Sequence, residues 1–585
     1  MQFIDLASVA PGTTFEADVA IIGSGPAGLA IAKEFLDSRA SVLVVESGGF
    51  AEEARFAALN VTESLGDPAR DVATRDRRTR LHGTSAPNWT DEEQPYGARC
   101  RVFGGSSQVW AGKSATFDKI VFDKRDWVPH SGWPIAYETL APYFDRAAEL
   151  LNLGPNCYGD GLWKLMGRRP QPEIDRSRVH SFFWQFARSR VDRLDVMRFG
   201  RDLRNMKARN VRVILNATAT NVDTNEAGTA LYGFEVSTID GARSRVRARC
   251  AVLACGAIEN ARLMLASRRQ NPDGLGNSRG LVGRFLMDHP GTRLGGFTGR
   301  DTDFASNCFG FCGVREGGRA HLYMHGLALS EETQRREGLL NCAVYMLGER
   351  AVDDPLDALK RILRRESPSA ARDLLAAAAA PQMIAKGLGM RIFQSAHFPE
   401  AIRERVVDLM ISANPNYVAR EYHSSGLPHK LVGVSVDGIT EQAPNPENRI
   451  SLAGKTDPLG VPLARATWRV GELERRTLAR IAEIAAEELR RAGLPTPTLE
   501  GWVVDRRLDD AVIVDMCHSS GTTRMADDPC EGVVDANCRV HGIDGLFVAG
   551  GSVLPTLGHA NPTLMIVALA IRLADRLKSE LSTYL

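Results

Sequence analysis

No stretch of this 585-residue chain approaches the run of about twenty apolar residues that a membrane span needs. Charge of one sign is also missing. Lys and Arg total 72 against 71 Asp and Glu, a net charge of +1, so nothing points to nucleic acid or another polyanion as partner. The one short basic run, Arg75 to Arg80, has no interleaved aromatics and reads as a solvated loop. The ten cysteines are scattered, and Cys308 and Cys312 lack the paired spacing of a zinc or iron–sulfur site. Free thiols and no bound metal are expected. The first residues show no succession of basic, apolar and small residues, the mark of a secretory signal, so a cytoplasmic enzyme is the expectation. No internal repeat is evident. What remains is a chain too long for one simple domain and ample for a large core.

The densest signal lies at residues 19–46. An apolar strand, Val19 to Ile22, runs into Gly23-Ser24-Gly25-Pro26-Ala27-Gly28, and Leu29 to Phe35 has helical periodicity. A second buried strand, Val42 to Val45, ends in Glu46. This is the dinucleotide fingerprint in its βαβ context: Gly23 for the tight turn, Gly25 for approach of backbone to a pyrophosphate, Gly28 for close helix–strand packing. Glu46 can accept hydrogen bonds from ribose hydroxyls and would repel a 2′-phosphate, which disfavours NADP and leaves NAD and FAD.

Further along, Arg101-Val102-Phe103-Gly104-Gly105-Ser106 leads to Val109 and Trp110. Its small residues let backbone approach a flat ring or a phosphate, and Trp110 can wall a pocket. Strands are expected at 211–216 and 245–254; the latter turns at Gly256 into a helix from Ile258 to Ala266, a further βα step of the same sheet. Between about 291 and 510 the character changes. Strand-like runs at Leu431 to Val436, Arg449 to Leu452 and Ala464 to Arg469 alternate with amphipathic helices at 356–365 and 471–492, which reads as a second domain on its own sheet. An alanine-rich helical stretch occupies 368–412, with Met383, Met390 and Met410 as packing residues. The last segment carries Cys517-His518-Ser519, a buried strand Leu546 to Ala549 broken by Gly550-Gly551-Ser552, and Gly558-His559-Ala560-Asn561-Pro562-Thr563 before a helix from Leu564 to Leu577. Asn561 and Pro562 make a helix start whose free N–H groups favour negative charge.

In four motifs, taken in order, the chain resembles the glucose–methanol–choline flavoprotein oxidoreductases. They are the glycine fingerprint with Glu46, Phe103 to Ser106, Gly283 to Pro290, and the block from His518 to Thr563. The resemblance implies FAD and an α/β fold, a Rossmann-type FAD-binding domain interleaved with an α+β substrate domain on an antiparallel sheet. The expected division is 1–290 and 511–585 for FAD and 291–510 for substrate. It also implies that Gly23, Gly25, Ala27, Glu46, Arg101, Gly104, Gly105, Ser106, Trp110, Ala219, Gly551, Ser552, Asn561 and Thr563 hold the cofactor. Asn561, where other branches carry a second histidine, is similar to the sugar-oxidising branch of pyranose oxidases and bacterial glycoside oxidases. Val109 aligns with the histidine that tethers flavin in fungal pyranose oxidases, and Thr523 with another histidine of theirs, so noncovalent FAD is expected.

Alcohol oxidation needs a base for the O–H proton and an acceptor for the C–H hydride. His518 is the candidate base, since imidazole titrates near neutrality, and Asn561 would hold the substrate oxygen. His559 is the rival base, His289 reads as structural and His541 as a turn residue. The expected substrate is a sugar or glycoside, with oxygen or a quinone or dye as electron acceptor. Homo-oligomer formation stays open. Oxidation of a non-sugar alcohol, a non-redox lyase on the same fold and a structural flavin- or NAD-binding subunit are the alternatives.

Overall fold

The computed structural model describes residues 1–65, 93–192, 195–316, 319–351, 353–365, 367–395, 397–413 and 429–582; the basic run at 75–80 lies outside them. The βαβ unit forms as its pattern requires. Residues 19–22 and 42–45 are buried on both faces, and they pair in parallel from Val19 with Val42 to Ile22 with Val45. The intervening helix, Pro26–Glu34, begins behind Gly25 with proline in its first turn. A Cβ on Gly28 would lie 2.0 Å from the Gly23 carbonyl oxygen, so helix and strand can approach this closely only through glycine.

This unit sits inside an eight-stranded sheet ordered Gln2–Asp5, Val211–Leu215, Val42–Val45, Thr14–Ile22, Arg243–Leu253, Leu231–Ser237 and Thr218–Thr224. The C-terminal strand Leu546–Val548 pairs with the end of Arg243–Leu253. Strands from both ends of the sequence therefore share one sheet, and the segment after residue 546 returns to the glycine fingerprint. The helix Thr563–Ser582 buries Leu564, Met565, Val567, Ala568 and Ile571 among others. Each large apolar side chain so buried contributes about 1.5–3 kcal/mol. The helix starts one residue after Pro562 and runs five residues past Leu577, because its apolar stripe continues to Leu581.

A second eight-stranded sheet is antiparallel throughout: Thr498–Leu499, Gly291–Thr298, Leu431–Thr440, Cys342–Arg350, Arg319–Leu329, Val179–Phe186 and Lys113–Ser114, with Phe311–Glu316 also pairing Arg319–Leu329. Two of these strands, Lys113–Ser114 and Val179–Phe186, come from within 1–290, so the second sheet does not follow the linear boundary at residue 290. Arg449–Thr456 and Pro462–Thr467 depart from expectation in the other direction. They pair with each other and with Thr62–Leu65 in a separate three-stranded sheet, a partner 400 residues away that no local pattern reveals. The expected helices appear as Pro355–Arg364, Glu472–Arg491 and, in the alanine-rich stretch, Ala370–Ala378, Pro381–Gln394 and Glu400–Ala413. Met383 and Met390 are half-buried there, whereas Met410 is exposed and packs no core. Among the described residues no helix is long and apolar enough to cross a membrane.

One core histidine ties this second layer to acid stability. His325 stacks between Phe183, at 4.7 Å between ring centres, and Phe309, at 5.2 Å. Burial pushes it down to about 4. A base with a depressed folded pKa binds fewer protons folded than unfolded between about pH 4 and about pH 6.5, so its contribution falls as pH falls through that window. His325→Gln is therefore expected to flatten the acid limb of a denaturation series by up to about 1.4 kcal/mol per pH unit. An unchanged slope would mean that His325 does not stay neutral in the fold.

Candidate active site

Where the two large sheets meet, a cavity of about 550 Å³ runs from the glycine fingerprint to His518, a size ordinary for a ligand or cofactor site. Of the residues expected at the cofactor, Gly23, Gly25, Ala27, Glu46, Arg101, Gly105, Ser106, Trp110, Ala219, Gly551, Asn561 and Thr563 line it. Gly104 and Ser552 do not. A Cβ on Gly104 would meet the Gly200 backbone nitrogen at 2.3 Å, so this glycine serves loop packing behind the wall. Ser552 is fully buried and accepts from Asn260 Nδ2 at 2.9 Å.

At the fingerprint end, nothing lies within 4 Å of where a Cβ on Gly25 would stand, so its backbone faces open space. Glu46 is buried, with Oε2 accepting from the Ser24 amide at 3.1 Å and hydroxyl at 2.5 Å, and Oε1 from the Gly48 amide at 3.0 Å. Burial raises its pKa and these donors oppose the rise. Arg101 donates to Asn60 Oδ1 at 2.9 Å, Ser47 Oγ at 3.1 Å and the Leu59 carbonyl at 2.8 Å, and pairs with Glu259 at 3.2 Å. Arg99, Arg262, Glu259 and Asp457 complete that charged wall. Sequence reading missed these four because their elements lie far apart along the chain and carry no spacing signal. Trp110 is anchored by its indole N–H on the Met197 carbonyl at 2.6 Å.

At the other end, backbone geometry places His518. Cys517 takes a left-handed φ of 60°, rare for a residue with a side chain. That turn brings the amides of Met516 and His518 onto the Asp288 carboxylate, at 3.0 Å and 2.9 Å. Burial, then the nearby Asp515 carboxylate, push Asp288 up to about 7, against the pull of the backbone donors. His518 Nε2 stands 3.1 Å from Asn561 Nδ2, and Asn561 Oδ1 is buried without a partner among the described residues. His289 meets His518 as well, Nδ1 to Nδ1 at 2.9 Å, so it does more than fill the core.

The rival base stands elsewhere. His559 is not in the cavity wall. Its Nδ1 donates to Asn341 Oδ1 at 2.7 Å, its ring packs edge-on against Phe182, and burial pushes it down to about 4. Asn341 also accepts from the His559 amide at 2.8 Å and donates to Asp118 at 2.8 Å. Behind it the Asn341 amide donates to Glu441, which pairs with buried Arg125 at 2.8 Å. This network holds the turn that carries Asn561. His541 lies in a turn, its Nε2 on the Ala526 carbonyl at 3.0 Å.

The apolar side of the cavity comes from the second sheet: Phe186, Phe311, Met324, Tyr345, Leu347 and Ile439. Asp288, His289 and His518 bring potential metal-ligand atoms within 4.8 Å of one another. Hydrogen bonds account for that cluster, since the carboxylate gathers backbone amides and His289 Nε2 lies on the Gly558 carbonyl.

Residues 444–570 match the GMC oxidoreductase family model. Paromamine 6'-oxidase from Streptomyces fradiae is 26% identical over 600 residues, covering 96% of this chain and 92% of that protein. C-glycoside 3-oxidase from Arthrobacter globiformis is 46% identical over 69 residues, 12% of this chain and 13% of the relative. Among solved structures, an Aspergillus oryzae formate oxidase variant studied for FAD modification aligns over 99% of this chain and all of its own, with a TM-score of 0.53 at 17% identity, a likeness of fold. Residues 444–570 thus carry a GMC oxidoreductase domain, and the fingerprint, the shared sheet and the His518–Asn561 pair in one cavity fit FAD as the cofactor.

Proposed function

We propose that this enzyme oxidises a secondary alcohol of a sugar or glycoside to the ketone, with His518 as base and Asn561 as the group that holds the reacting oxygen. The observation that carries the reading is the convergence of His518 Nε2 and the Asn561 amide, 3.1 Å apart, on the wall of the cavity that begins at the glycine fingerprint. The residues present suit FAD. Glu46 offers a buried carboxylate for ribose hydroxyls, Gly25 an open backbone face for the pyrophosphate, and Arg101, Ser106, Ala219, Gly551 and the helix start at Thr563 further polar or backbone edges. FAD when bound supplies the two-electron acceptor for the C–H hydride.

The chain's own part is proton handling and orientation. His518 takes the hydroxyl proton as the C–H bond breaks. Asn561 donates an N–H to the same oxygen and so stabilises the developing alkoxide in a near-attack geometry. The apolar wall excludes water, and hydrogen bonds to the alkoxide are stronger there than in solvent. A sugar or glycoside fits the activities in the names of the two relatives. Oxygen or a quinone would serve as the electron acceptor. A glycoside panel assayed with both oxygen and a dye acceptor tests this reading; turnover of simple alcohols with no glycoside oxidised would overturn it.

The cofactor is held noncovalently. Val109, at the tethering position, offers no nucleophilic atom, and burial keeps the Cys100 and Cys255 thiols protonated, with Cys255 pushed up to about 12 and Cys100 raised as well. Acid precipitation is expected to leave all the flavin in the supernatant. Flavin retained in the washed protein pellet would contradict this.

A further inference from the structure

We infer that His289 is a positioning residue that fixes the tautomer of His518, keeping the proton on His518 Nδ1 and the lone pair on Nε2. The inference rests on the reading of His518 as base. It follows from four polar groups in a line. His289 Nε2 lies 2.6 Å from the Gly558 carbonyl oxygen. A carbonyl oxygen only accepts, so Nε2 carries a hydrogen. Burial pushes His289 down to about 3, so the ring is neutral, has a single N–H, and presents a bare lone pair at Nδ1. That lone pair faces His518 Nδ1 at 2.9 Å, with the rings crossed at 84°. Two lone pairs at this distance repel, so His518 Nδ1 carries the hydrogen and donates it. Neutral His518 then has its lone pair on Nε2, which is where Asn561 Nδ2 donates, 3.1 Å away on the cavity wall.

The consequence is directional. Without the acceptor at His289, the His518 proton is free to settle on Nε2, and the nitrogen beside the substrate site no longer takes a proton. The acceptor also keeps its use after proton transfer, because imidazolium His518 still has an Nδ1–H to donate. Gly558 belongs to the same turn as Asn561, so one carbonyl sets both the direction of the proton chain and the place of its last member.

His289→Leu removes the acceptor and fills similar space. His289→Asn puts an amide oxygen where Nδ1 stood but is too short to reach the Gly558 carbonyl. Flavin reduction by saturating substrate is measured anaerobically in both, in His518→Ala, and in the His289→Leu/His518→Ala double variant, all with FAD content determined. His289→Leu is expected to slow reduction roughly 10²-fold, less than the ~10⁴-fold of a catalytic histidine that loses a charged tautomer-setting partner, with a much smaller change in KM. His289→Asn should recover most of the loss. The double variant should be no slower than His518→Ala alone, since the two residues act as one unit. A role in packing alone would give a multiplicative loss in the double variant and no rescue by Asn, and either result overturns the inference. If His289→Leu fails to fold, the Asn variant decides: a rate near wild type supports the inference, and a rate as low as that of His518→Ala overturns it. Full activity in His518→Ala refutes the base assignment itself, whereas a dead His518→Ala beside a fully active His289→Leu refutes the tautomer inference alone.

Discussion

His518→Ala is expected to slow flavin reduction by alcohol roughly 10²–10⁴-fold, the scale of a lost general base, while the purified protein keeps its normal FAD content. The reason lies in how the residue is held. Its backbone amide is fixed on Asp288 and its ring lies between His289 and Asn561, so its side chain bears on the far end of the cavity and not on the glycine fingerprint. Stopped-flow reduction without oxygen measures this directly. A variant that loses flavin and unfolds would assign His518 to structure. His559→Ala, run in parallel, should leave the chemical step with a far smaller defect, since His559 is absent from the cavity wall and occupied with Asn341.

Asn561→Ala should cost about 10²–10³ in the same rate, the usual loss for one donor at a developing oxyanion. An amide has no useful basicity, so its contribution is orientation and hydrogen bonding. Its Nδ2 already meets His518 Nε2, and its Oδ1 is buried with no partner among the described residues. A buried polar atom left unpaired costs stability unless something enters to pair with it, which marks the position as built for a guest. Asn561→His, restoring a second histidine, should recover part of the loss relative to alanine. Wild-type reduction at saturating substrate in Asn561→Ala would instead leave the residue as a helix-start cap, worth about 1 kcal/mol of stability.

The parts of this site legible in the sequence are those written in local pattern. The fingerprint with Glu46, the Gly104–Gly105 loop and the Asn561-Pro562 helix start are each a contiguous run whose residue types have one physical use. The first sheet was legible too, in buried strands at the start and end of the chain, whereas the antiparallel second sheet was implied by the family resemblance and not by local pattern. What could not be read depends on distant pairing. Arg449–Thr456 and Pro462–Thr467 look like further strands of the second sheet and instead join Thr62–Leu65. Arg99, Arg262 and Asp457 converge only because that third sheet packs against the helix Gly256–Ala266. His289 read as structural because Asp288-His289-Pro290 has the look of a rigid turn. Its meeting with His518, 229 residues away, exists only in the fold. Gly104 and Ser552 stand behind the cavity wall, and glycine and serine in such a loop have the same appearance whether they face the cavity or pack the loop from behind.

The most direct test of the central claim is anaerobic addition of a glycoside to the FAD-loaded wild-type enzyme and to His518→Ala, following flavin absorbance and product together. The account predicts that wild-type flavin bleaches in step with formation of one ketone per flavin, and that His518→Ala bleaches more slowly by at least about 10²-fold. Product formed while the flavin stays oxidised, or equal bleaching in both proteins, would contradict it.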